Sequence, residues 1–78
     1  MNKKAKLIWE FSGQDAEPMA QHHAKHLKEF AEREQIVHFG SGITASENHA
    51  EAYLIVGEKD MIAVRDALRP KRGEWVED

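Results

Sequence analysis

Three histidines crowd one short stretch of the chain, His22-His23-Ala24-Lys25-His26. Imidazole binds zinc, copper and nickel well. Residues three or four apart share a helix face, so His22 and His26 are the candidate metal pair, with His23 and His26 as the other combination. Two ligands do not complete a catalytic zinc site, which takes about three protein ligands and an open position. The helix also lacks the His-Glu-x-x-His pattern of the metalloproteases. His23 falls inside an apolar stripe between Met19 and Leu27, which favours a packed histidine over a ligand. On these grounds no cofactor is expected.

Arg65, Arg69, Lys71 and Arg72 place four cations within eight residues around Pro70. Guanidinium groups and a helix start together suit a phosphate or a carboxylate. The competing account is a solvated helix end whose cations complement the dipole. Asp66, Glu74, Glu77 and Asp78 dilute the patch, so nucleic acid is not an expected partner. Gly40-Ser41-Gly42 is not followed by the lysine-bearing helix of a phosphate loop. The chain has no cysteine, and its serines lack a nucleophile elbow. These features weigh against an enzyme.

The elements that must position these groups follow from periodicity. Ala5, Leu7, Trp9 and Phe11 alternate with polar residues and predict a strand with one buried face, Ile8 being the exception on the other. Asp15 is an expected N-cap for a helix to about Glu34 or Gln35, with Met19, Ala20, Ala24, Leu27, Phe30 and Ala31 as its stripe. Ile36-Val37-His38-Phe39 reads as a second strand, which Ile43 and Ala45 continue past the glycines. Ser46 to His49 is turn-like. Ala52-Tyr53-Leu54-Ile55-Val56 is apolar on both faces, as an internal strand would be. Asp60 is the expected cap of a second helix, from Met61 to about Leu68 or Arg69, which Pro70 ends. Residues 74–77 make a short last strand.

This order, β-α-β-β-α-β, is that of the ferredoxin-like plan. The expected fold class is α+β, a two-layer sandwich of three to four antiparallel strands with two helices on one face. The strand order would be 4-1-3-2, with the whole chain, 1–78, as one domain. Such a plan leaves one sheet face open. Ile8, Ile36, His38, Tyr53 and Ile55 are expected there, bordered by Lys6 and Glu10. That set is more apolar than a solvated face needs to be and points to a protein partner or a homodimer. A small non-enzymatic binding or assembly module is therefore the first functional expectation. A ligand- or metal-binding protein, using His22, His26 and the Arg69-Lys71-Arg72 edge, is the second.

Composition agrees with a globular chain. Of 78 residues, 41% are hydrophobic and 32% charged, with a formal net charge of −3. That charge supplies no general attraction to nucleic acid or to an anionic membrane. No stretch is long enough to span a bilayer, and the chain's start does not read as a signal peptide. The cytoplasm is the expected compartment.

Overall fold

A computed structural model describes residues 3–76. The elements run β1 (Lys4–Ser12), α1 (Ala16–Arg33), β2 (His38–Ser46), β3 (His49–Gly57), α2 (Glu58–Leu68) and β4 (Arg72–Val76). The strands pair antiparallel in one open sheet ordered β2-β3-β1-β4, the 4-1-3-2 arrangement of the ferredoxin-like plan. The last strand lies at residues 72–76; residue 77 is outside the described residues.

Strand alternation builds the core. Ala5, Leu7 and Trp9 of β1 join Ala50, Ala52, Leu54 and Val56 of β3 beneath the helices. Both strands are internal, so each carries side chains that its neighbours flank on both sides. α1 meets this surface through Ala16, Ala20, Leu27 and Ala31, all buried, with Ala24 and Phe30 packed alongside. Small residues along that line let the helix sit close to the sheet. Met19 lies around the helix from this line and is 47% exposed, outside the buried stripe.

The ends of α1 are set locally. Gly13 takes φ +103° and its N–H donates to the Asn48 carbonyl at 2.9 Å, tying the helix start to the β2–β3 turn. Asp15 holds the N-cap position but makes no side-chain capping bond. At the other end Gln35 adopts a left-handed φ of 57°. The Ile36 N–H donates to Ala31 O at 2.8 Å and the Gln35 N–H to Glu32 O at 3.2 Å. This is a Schellman closure. It uses Ile36 as the apolar residue that folds back onto the core, so Ile36 packs on the helix side and precedes β2.

α2 starts earlier than its apolar pattern suggests. Gly57, in extended conformation, is the N-cap, and Glu58 and Asp60 occupy the first turn. The Glu58 N–H donates to Lys3 O at 3.0 Å, so β3 passes into the helix without an intervening loop. Val64 is fully buried, with Met61 and Leu68 packed beside it. The Trp9 indole donates to Leu68 O at 2.8 Å and anchors the helix end to β1. Arg69 then turns left-handed at φ 49° and Pro70 follows. The Lys71 N–H donates to Ile8 O at 2.8 Å and begins the β4 pairing.

Candidate functional site

The open sheet face carries two kinds of surface. On one part, Arg72 binds the carboxylates of Glu10 and Glu51, the latter at 3.0 Å, and lies 3.5 Å from Glu74. Thr44 donates to Glu51 at 3.3 Å, and His49 lies 3.7 Å from it. Partial desolvation pulls the Glu51 carboxyl upward, but the Arg72 hydrogen bond and charge outweigh it and hold the group below its ordinary range. Ile8 sits in register between Tyr53 and Arg72 and is 1% exposed. Among the expected apolar residues of this face, Ile8 is thus covered by its own chain.

The other part is aromatic and basic. Lys6 Nζ stands 4.5 Å from the Tyr53 ring centroid, and Lys4 Nζ stands 4.5 Å from that of Phe39. Gly42 lies opposite Tyr53, and a Cβ there would come within 3.1 Å of the tyrosine hydroxyl. A Cβ on Gly40 would stand 3.5 Å from Ile55 Cδ1. The two glycines therefore clear space on β2 for the side chains of its neighbour, the relation known as aromatic rescue in the tyrosine's case. Tyr53 and Ile55 are half-buried and Phe39 is 52% exposed. Together they form an apolar strip along β2 and β3.

Two residues expected on this face are elsewhere. Ile36 is taken by the helix closure described above. His38 lies in register with Val56, a core residue, and its Nδ1 is buried with no hydrogen-bond partner. The cause is a bulge between His38 and Gly40 that shifts the register by one and turns Phe39 toward Gly57 and Lys4. Regular alternation sets Phe39 toward the helices and His38 toward the open face, and the bulge reverses both. The Gly-Ser-Gly run at 40–42 was the sequence feature that could have placed it.

The four cations of the Arg65–Arg72 segment do not converge. Arg72 turns to the open sheet face. Arg65 pairs with Asp66 at 3.2 Å and, with Lys71 and Arg72, borders a cleft of about 350 Å³ between α2 and β4. Ala5, Leu7, Met61, Pro70 and the 54% exposed Trp75 line that cleft. Arg69 is exposed at the left-handed turn.

The histidines of α1 separate into two environments. His23 packs between Trp9 and Phe11, with ring centroids 5.3 and 5.6 Å away, and its Nε2 is buried without a partner. This is the packed histidine expected from the stripe. His22 and His26 are exposed and face each other, Nε2 to Nε2 at 2.9 Å, while His26 Nδ1 lies 3.3 Å from Glu29 Oε1. Among the described residues, no group of three or more potential ligands converges.

Burial, followed by the charges of His26 and His22, holds the His23 pKa below its ordinary 6.5. The unfolded chain therefore takes up this proton more readily than the folded one. The His23 contribution is intact above pH 6.5 and is lost as pH falls through that value toward the lower folded pKa. The thermal midpoint is expected to drop between pH 7.5 and 5.5, and less steeply in His23→Gln. An equal slope in both proteins would show that His23 is not the group responsible.

No family model matches the chain, and no curated protein or solved structure matches it. No helix among the described residues is long and apolar enough to cross a membrane. The functional assignment therefore draws on the chain's own surface chemistry.

Proposed function

We propose that the chain is a small non-enzymatic assembly module that pairs with a second copy of itself through the open sheet face. The observation that carries this is the order of side chains along that face. On β1, Lys6 and Glu10 lie two residues to either side of Ile8. Lys4 and Lys6 stack on Phe39 and Tyr53 toward one end, and Glu10 and Glu51 lie in register toward the other. A two-fold axis lying across the strands at Ile8 and Tyr53 reverses this order in the facing copy. Each Lys6 then meets the other copy's Glu10, and each Tyr53 meets its counterpart at the axis, with Ile55 beside it. Such an interface is isologous and closes at two copies. Packed sheets with twisted strands accept this arrangement.

Glu10, Glu51 and Glu74 on the same face oppose the phosphates of a nucleic acid, which favours the protein partner. A cytoplasmic setting suits a chain without cysteine. The small-ligand alternative finds less support, because Arg72 borders the cleft beside Arg65 and Lys71 while its guanidinium is held by the carboxylates of Glu10 and Glu51.

The test is the mass in solution. Sedimentation equilibrium is expected to show the 8.9 kDa chain moving toward a dimer as concentration rises. Tyr53→Lys should remain monomeric with an unchanged circular-dichroism spectrum, because Tyr53 meets its counterpart at the axis and is only half-buried within its own chain. A wild-type protein that is monomeric at millimolar concentration would refute the assembly role.

A further inference from the structure

The His22–His26 pair lies on the exposed side of α1, away from the sheet face, and the assembly role does not use it. Its geometry has two independent features. The first is the 2.9 Å between the two Nε2 atoms. An ion bound to both at the usual metal–imidazole length of about 2.0–2.1 Å would subtend an angle of about 90°. A tetrahedral angle would need the nitrogens roughly 0.4–0.5 Å further apart at the same bond length. For such a nitrogen pair the Irving–Williams order places copper(II) above nickel(II) and zinc(II).

The second feature is Glu29. Its Oε1 lies 3.3 Å from His26 Nδ1, a charge contact that favours a proton on Nδ1 and leaves the His26 Nε2 lone pair free to ligate. A carboxylate behind a ligating histidine fixes the tautomer and raises the basicity of the ring. Without an ion, one Nε2–H of the pair donates to the other Nε2, the direction set by the tautomers. With an ion, the metal takes the place of this proton, and His22 carries its own proton on Nδ1, so the two neutral rings keep their charge.

We propose that His22 and His26 form a two-nitrogen chelate for a divalent late transition ion, copper(II) ahead of nickel(II) and zinc(II), with Glu29 orienting His26. His23 is no part of it, since its Nε2 is buried on the inner side of the helix. Solvent fills the remaining positions, so the site binds an ion reversibly and lacks the ligand count of a buried structural centre.

The full chain titrated with copper(II) alone is expected to bind one ion at this site, with an electron paramagnetic resonance spectrum showing two nitrogen ligands. His22→Ala and His26→Ala should each weaken binding by at least about 10-fold, and Glu29→Gln by a smaller factor in the same direction. All three positions are exposed, so the variants should retain the wild-type circular-dichroism spectrum. His49→Ala should bind as the wild type does. The proposal is overturned if the His22→Ala, His26→Ala double variant binds copper(II) with undiminished affinity, or if zinc(II) binds more tightly than copper(II). Because the pair lies off the sheet face, a monomeric wild type would leave these expected results unchanged.

Discussion

Leu27→Ala is expected to remove about 2–5 kcal/mol of unfolding free energy. Leu27 is 1% exposed and sits in the core cluster among β1 and β3 residues. Truncation strips its buried methyls from apolar surroundings and leaves a cavity that the neighbours fill only in part. Its neighbours on the helix face are Ala24 and Ala31, too short to close the gap, together with His23 and Phe30. Folded chains hold roughly 0.05–0.15 kcal/mol per residue, so a loss of this size is a large share of the total for 78 residues. Urea denaturation followed by tryptophan fluorescence measures it directly. A change below about 0.5 kcal/mol, the size of an ordinary surface substitution, would mean that α1 does not pack as described.

The second large effect is electrostatic and concerns the dimer. Lys6→Glu should weaken association by at least about 10-fold, since like charges brought together across an interface cost several kcal/mol. Adding Glu10→Lys to the same chain should recover most of that loss, because the two-fold axis sets residue 6 of one copy against residue 10 of the other. Both side chains are on the open face and outside the core; Glu10→Lys removes one carboxylate from Arg72, which keeps Glu51 and Glu74, and circular dichroism checks that the fold is retained. The difference between the single and double variants should shrink at high salt, where surface charges are screened over about 3 Å. Sedimentation equilibrium on the three proteins separates the cases. If the double variant folds and stays as monomeric as Lys6→Glu, the copies do not meet with their strands reversed.

The fold was legible because each strand of the core shows its period locally. Leu7 and Trp9 alternate with Lys6 and Glu10, and Leu54 and Val56 with Tyr53 and Ile55. Pro70 marks the end of α2, and the doubly apolar β3 lies inside the sheet, as its composition requires. The candidate site was less legible. Tyr53 and Ile55 were placed on the open face by alternation alone, and the register bears that placement out. His38 and Ile36 were misplaced there, because alternation assumes a regular strand. The chain spends Ile36 on the helix closure and inserts a bulge after His38.

Some features depended on residues far apart in sequence. Ile8 is buried because Tyr53 and Arg72 come to flank it. No local pattern anticipates a guanidinium at position 72 meeting carboxylates at 10 and 51. The cations around Pro70 look like one patch when read along the chain, yet β4 alternation sends the Arg72 guanidinium to the carboxylates of the open face. The glycines at 40 and 42 are spacers only in relation to Ile55 and Tyr53 on the next strand. By itself, then, the sequence determined what depends on neighbours within about one turn or one strand: element type, order, the buried faces of β1 and β3, and the i, i+4 histidine pair. Tertiary structure decided which charges meet and which apolar groups stay open, because those depend on register between strands, and a single bulged residue changes the register without altering the composition.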